Sequence, residues 1–318
     1  MKFKHIATVT LSLSLIYSGH AQQFGTAKVP PEILQSTILI EIVEIRTNTS
    51  FEPVNIPQNE GSNGIKISPT QLAIRVEKPE VIFHPIGTAV LVTGSNVITG
   101  SNVMFLFTAK HVLARTEYVF FRIPQKNGQP DHRPFKQMLQ ETHTDWIRST
   151  NADVAMTVFV TRYAGDTVSC VSLDSFAANY DTVTEGDEVL VSGYPASVIE
   201  LPRPAVRGGL VSAKLDDEKL LIDVFTFPGN SGGPVFWKPS VGINVFGNQF
   251  GEGRYAKLIG LVLYSPLYTD QAIDPVTGRT RITFESNSGF TIIVSASRIL
   301  ELMDYPEVRA ILGKPASH

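Results

Sequence analysis

Between Phe227 and Val235 the chain reads Phe-Pro-Gly-Asn-Ser-Gly-Gly-Pro-Val, and these residue types at this spacing could carry covalent chemistry. A serine with glycines close on both sides suits neither a helix nor a strand interior. The glycines remove bulk, so a carbonyl group could approach the main chain, and the same tight turn can aim two N–H groups at one point. Where negative charge develops on an oxygen, losing one such donor costs on the order of 10²–10³ in rate. The hydroxyl itself needs a base to take its proton. Four histidines stand between residue 22 and Ser231: His84, His111, His132 and His143. His111 follows the apolar run Phe105-Leu106-Phe107 and precedes Val112-Leu113, so it sits where a buried strand gives way to a turn. His132 and His143 lie in polar contexts and His84 precedes a proline. Asp153 opens the segment Asp-Val-Ala-Met-Thr-Val-Phe-Val, and a carboxylate heading an apolar strand is costly unless it is paired. Asp145 is the alternative acid, although it could pair locally with Arg148.

Gly229-Asn230-Ser231-Gly232-Gly233 also fits the G-x-S-x-G pattern of α/β-hydrolases, in which serine comes first, then the acid, then histidine. After Ser231 the only histidine is His318, the last residue, so chain order argues against that class.

The elements that must position these residues read as β-structure. Strand-like runs rich in Val, Ile, Thr and Phe occupy Thr37 to Ile45, Thr88 to Val92, Val103 to Thr108, Tyr118 to Ile123, Val154 to Val160, Val189 to Ser192, Leu210 to Ala213, Leu220 to Phe225, Lys257 to Tyr264 and Phe290 to Ser295. Many short strands without alternating helices argue for barrels or a sandwich. Thr47 to Ser68, Gln125 to His132 and Pro239 to Arg254 read as loops, from their Asn, Pro and Gly content. Near the end, Ile299, Leu300 and Met303, then Val308, Ile311 and Leu312, recur at helical spacing before Gly313, which predicts one or two short amphipathic helices.

Composition bounds the partners. The 318 residues are enough for two packed halves around large cores. A formal net charge of -3, without a dense Lys/Arg run, gives no reason to expect nucleic acid as a partner. Lys2 and Lys4, the stretch from Ile6 to Tyr17 and Gly19-His20-Ala21 form a signal peptide expected to be cut after Ala21. The stretch is shorter than the roughly 20 apolar residues a membrane-spanning helix needs, so no anchor is expected after cleavage. Export, to a periplasm or beyond, follows. The single cysteine, Cys170, forms no internal disulfide and reads as a packed thiol. Cys and His spacing implies no metal, and no cofactor is expected.

Taken together, the segments Phe107-Thr108-Ala109-Lys110-His111-Val112, Asp153-Val154-Ala155, Ser192-Gly193-Tyr194-Pro195, Gly209-Leu210-Val211-Ser212-Ala213, Pro228 to Val235 and Ile259-Gly260-Leu261-Val262 resemble the trypsin-like (chymotrypsin-fold) serine peptidases. The resemblance is to the bacterial, disulfide-free HtrA-like and glutamyl-endopeptidase-like types, without the PDZ domain usual in the HtrA-like ones. It implies an all-β fold of two packed six-stranded antiparallel β-barrels with a C-terminal helix. The implied layout is a signal peptide over 1–21, an extension over 22–35, barrels over 36–165 and 166–295, and a helical segment over 296–318. The resemblance also implies catalysis by His111, Asp153 and Ser231 through an acyl-enzyme, on a peptide or protein substrate. An oxyanion hole from the N–H groups of Gly229 and Ser231 is implied as well. Phe225 would lie near the base of the primary pocket, with Leu263, Tyr264 and Ser265 along one wall. No carboxylate stands there, so a small or medium apolar side chain is expected before the cleaved bond. Asn230 replaces the aspartate of zymogen-type relatives, which argues against activation by a freed N-terminus. A catalytically silent scaffold that only binds, and an esterase or amidase on the same chemistry, are the alternatives.

Overall fold

The computed structural model describes residues 31–54, 72–161, 165–173, 176, 182–198, 201–216, 218–237 and 257–315. The signal peptide over 1–21, most of the 22–35 extension and the loop expected over Pro239 to Arg254 lie outside the described residues.

A short helix, α1 (Pro31–Ser36), leads into β1 (Thr37–Val54). Ile38, Leu39 and Ile40 of β1 are all buried, as are Phe105, Leu106 and Phe107 of a later strand. Such unbroken apolar runs are the mark of strands covered on both faces. β1 pairs antiparallel with β2 (Leu72–Ser95) over its whole length. Next come β3 (Asn102–Thr108), β4 (Val119–Ile123), β5 (Asp131–Pro134), β6 (Ile147–Arg148), β7 (Ala155–Phe159) and β8 (Val171–Ser172). They form one eight-stranded sheet in the order β5-β4-β1-β2-β3-β7-β6, with β8 paired parallel to β2.

Main-chain pairing does not close this sheet among the described residues; its two ends meet through side chains. Phe121 of β4 lies 6.1 Å from the Trp146 ring, just before β6, and 6.5 Å from Phe159 of β7. The helix α2 (Phe135–Thr142) plugs the seam, with Phe135 at 5.2 Å from Trp146 and Met138 fully buried.

The second half does close. Strands β9 (Glu188–Gly193), β10 (Ala205–Lys214), β11 (Lys219–Asp223), β12 (Pro234–Trp237), β13 (Lys257–Tyr264) and, later, β16 (Phe290–Ser295) form a barrel in the order β10-β11-β16-β13-β12-β9. Its interior takes alternate residues, Val189 and Val191 from β9 and Leu220 and Ile222 from β11, packed with Val235, Ile259, Val262 and Ile293. β-Branched side chains fill so narrow a barrel well. Between β13 and β16 a separate two-stranded ribbon projects, β14 (Leu267–Ile273) with β15 (Thr280–Asn287). Two helices close the chain, α3 (Ala296–Met303) and α4 (Pro306–Ile311), the latter ending before Gly313 at φ 64°. They dock on the β2–β3 turn, where Val97 donates its N–H to Leu312 O at 2.9 Å.

The all-β trypsin-like class therefore stands, with a closed barrel in the second half and C-terminal helices. The loop expected over Thr47 to Ser68 does not begin at Thr47. β1 runs on to Val54, opposite Leu72, because the two strands keep an unbroken antiparallel register from Glu41 opposite Pro85 outward.

The seam residue Phe121 gives a direct test of how the open sheet is held. Phe121→Ala should lower stability by about 3–5 kcal/mol in denaturant unfolding, whereas Ile98→Ala, at an exposed turn, should stay within about 0.5 kcal/mol.

Candidate active site

His111 lies in a 3₁₀ segment, Lys110–Tyr118, that begins one residue after β3, past Ala109. Asp153 occupies a bend two residues before β7, and β3 and β7 are paired neighbours. One carboxylate oxygen of Asp153 accepts the ring Nδ1–H of His111 at 2.6 Å. The other accepts the main-chain N–H of the same residue at 2.9 Å. Lys110 completes the clamp, donating its N–H to Asp153 O at 3.2 Å and its ammonium to Ser149 O at 3.0 Å. Burial of the Asp153 carboxyl works against its ionisation. The His111 ring bond, the His111 charge and N–H, and the Lys110 charge outweigh it and hold the group below the usual carboxylate range. An ionised carboxylate only accepts, so a ring proton sits on Nδ1, and in the neutral ring the lone pair is on Nε2.

The other histidines are engaged elsewhere. His84 bonds Glu44 at 2.7 Å, His132 bonds the buried Glu41 at 2.7 Å, and His143 caps α2 in a left-handed conformation. Asp145 accepts from the N–H of Trp146, and Arg148 reaches Trp146 O rather than Asp145.

Ser231 stands in a turn that only glycine permits. Gly229 has φ 94°, and a Cβ there would meet Tyr194 O at 2.4 Å. Gly232 has φ 81°, and its Cβ would meet Thr88 O and Thr108 Oγ1 at 2.2 Å. The turn is thereby pressed against Thr108 and Ala109, the residues leading to His111. Ala196 donates its N–H to Pro228 O at 2.7 Å. Because the Pro228–Gly229 peptide is planar and trans, this turns the Gly229 N–H the opposite way. Neither that N–H nor the N–H of Ser231 has an acceptor among the described residues. The Ser231 hydroxyl donates to Leu263 O at 2.9 Å; among the described residues it makes no bond to His111.

Residues 87–239 match the family described as Trypsin-like peptidase domain. Over those residues the chain is similar to trypsin-like peptidases. No similar sequence is found among curated proteins. Among solved structures, a serine endoprotease from Yersinia pestis is similar at 15% identity and a TM-score of 0.45, over 89% of this chain and 68% of that one.

The turn that holds Ser231 is fixed by a residue that residue types alone did not single out. Thr88 of β2, fully buried, donates its N–H to Ser231 O at 2.7 Å and its hydroxyl to Gly229 O at 2.7 Å. The same hydroxyl oxygen accepts the Tyr194 N–H at 3.1 Å, and Thr88 O accepts the Thr108 hydroxyl at 2.7 Å. A threonine after a glycine in a strand looks like any β-former, so only the three-dimensional contacts single it out.

The residues expected at the pocket are spread differently. Leu263 is buried and offers its carbonyl to Ser231, while Tyr264 is exposed. Ser265 bonds Thr226, which in turn bonds Thr291 at 2.8 Å, so a knot of hydroxyls lies beside Ser265. Phe225, expected near the base of the primary pocket, is half exposed and lies against Gly289, which the ribbon inserted before β16 brings to its ring. Arg207 braces this approach, bonding Phe225 O at 2.9 Å and lying over the Phe227 ring. Burial lifts the Cys170 thiol to about 11, leaving it protonated. No cluster of three His, Cys, Asp or Glu side chains among the described residues could hold a metal.

Thr88→Val keeps the strand and its volume but strips the hydroxyl from Gly229 O and the Tyr194 N–H. The expected loss is about 1–3 kcal/mol of stability by thermal or denaturant unfolding, largely restored in Thr88→Ser.

Proposed function

We propose that the domain is an exported endopeptidase that cuts through an acyl-enzyme, with Ser231 as nucleophile, His111 as general base and Asp153 as its orienter. The observation that carries this reading is the double hold of Asp153 on His111, at 2.6 and 2.9 Å. That hold leaves Nε2 as the only ring nitrogen able to take a proton. Rotation about the Cα–Cβ bond of Ser231 would move its hydroxyl from Leu263 O to that nitrogen. As the oxygen attacks a peptide carbonyl, the proton passes to Nε2 and charge builds on the carbonyl oxygen. The open N–H groups of Gly229 and Ser231 would receive that charge. Collapse of the intermediate hands the proton to the departing amine and leaves an ester on Ser231. A water molecule then repeats the sequence to release the acid. Leu263 O, freed by the serine, becomes available to a substrate N–H.

The hydroxyl knot of Thr226, Ser265 and Thr291 supports selection of a small side chain before the cleaved bond, since these groups fill space and spend their protons on one another. Export rests on the N-terminal basic and apolar residues, and N-terminal sequencing of the mature protein should begin at Gln22. A binding scaffold is the second reading, favoured by the resting bond of Ser231 to Leu263 O in place of one to His111.

Hydrolysis of a peptide library decides between them. Wild-type protein should cut, Ser231→Ala and His111→Ala should not, and Asp153→Asn should fall by roughly 10⁴ in kcat. A folded wild type that cuts no peptide, matching its Ser231→Ala variant, would favour the scaffold.

A further inference from the structure

Strands β13 and β16 pair antiparallel from Gly260 opposite Ser295 to Tyr264 opposite Ile292. The ribbon prolongs that pair, because Ser288 donates its N–H to Pro266 O at 3.2 Å and pairing resumes with Leu267 opposite Asn287. β13 and β14 thus form one side of a long hairpin, and β15 and β16 the other. The edge of β13–β14 that faces away from β15–β16 has a telling series of partners. β12 pairs with it as far as Leu261. Val262 then exchanges two main-chain bonds with Gly232 and Gly233, at 2.7 and 2.9 Å, and Leu263 O holds the Ser231 hydroxyl. From Tyr264 to Ile273 no strand among the described residues pairs with that edge.

The open edge therefore begins at the proposed nucleophile and runs along β14, about 33 Å for ten residues at roughly 3.3 Å each. β14 reads Leu-Tyr-Thr-Asp-Gln-Ala-Ile and is exposed throughout. It contains neither lysine nor proline, the residues that usually guard a free edge against pairing. One ribbon face collects Tyr268, Ala272, Ile282 and Phe284 around Asp270 and Ser286, which stand opposite Phe284 and Tyr268, with Tyr268 59% and Phe284 55% exposed. A two-stranded ribbon is marginal in water on its own, and a third strand would both satisfy the edge and cover part of this face.

We propose that the outer edge of β14 is an extended docking strand for the polypeptide substrate, which leaves Ser231 past Ser265 and joins the ribbon as a third strand. This rests on the reading of Ser231 as nucleophile. The edge recognises an extended main chain, with apolar side chains at alternate positions set against Tyr268 and Phe284. Main-chain bonds supply the affinity and the apolar face the preference.

The test is binding, which needs no catalysis. Fluorescently labelled peptides of four and of twelve residues, sharing the same C-terminal four, are titrated against the full chain carrying Ser231→Ala. The longer peptide, with alternating apolar residues, should bind at least about 10-fold more tightly. Two further chains remove the edge. In one, residues 269–285 are replaced by Asn-Gly, joining the paired Tyr268 and Ser286 through a two-residue turn. In the other, Thr269→Pro and Asp270→Pro are combined, because neighbouring strand residues direct their N–H groups to opposite edges. Either change should erase the advantage of length and leave the four-residue peptide unaffected. Equal affinity for both lengths, or a length advantage that survives both changes, would overturn the proposal. Failure of the wild type to hydrolyse any peptide would instead count against the peptidase reading and leave the binding comparison intact.

Discussion

Thr88 commits every polar atom it has to the place where the two halves of the molecule meet. Its N–H and hydroxyl hold the carbonyls of Ser231 and Gly229, its hydroxyl oxygen accepts from Tyr194 at the end of β9, and its carbonyl takes the Thr108 hydroxyl of β3. The first sheet thus grips the serine turn of the second barrel from inside the protein, without solvent to compete. Each bond adds only about 1 kcal/mol net, yet leaving any buried partner unmade costs more. That asymmetry makes the joint specific. It also places Ser231 relative to His111, because β3 carries both Thr108 and the run into the histidine.

Close approach at this joint explains why the turn is built from glycines. At Gly232 a side chain would occupy the space of Thr88 O and Thr108 Oγ1, and at Gly229 that of Tyr194 O. The two N–H groups without an acceptor among the described residues, those of Gly229 and Ser231, belong to this same tight turn, so the positive φ and the open donors have one origin. On the other side of the site, Asp153 does by charge what Thr88 does by neutral bonds. It fixes His111 through ring and main chain together, and Lys110 prevents the bend from drifting.

Much of this was legible from residue types. The strands around Phe107, Phe121, Val191 and Ile293 announce themselves because their apolar runs or alternation reflect burial. The serine turn announces itself because glycine at positive φ is a local demand. Asp153 and His111 were readable as a pair from an acid heading an apolar strand and a histidine ending one. Thr88 was not, since three of its four partners, Tyr194, Gly229 and Ser231, lie more than a hundred residues away. The ribbon escaped notice for a different reason: β14 and β15 bury almost nothing, so no period of two is imprinted on Thr269, Asp270 and Gln271. α2 is short and ends on His143 instead of glycine, which hides its boundary. The extension of β1 beyond Thr47 was masked by Asn and Pro, because pairing with β2 supplies what local propensity lacks. What lies beside Phe225 was not legible, because the inserted ribbon that brings Gly289 to its ring is invisible to spacing counted back from Ser231.

The central claim is that Ser231 is an activated nucleophile held in a preorganised turn. Treatment of the mature protein with a fluorophosphonate, followed by mass spectrometry of its peptides, tests that most directly. The account predicts one adduct, on Ser231, that disappears in His111→Ala. A well-folded wild type that gains no adduct, or gains one on another residue that persists in His111→Ala, would contradict it.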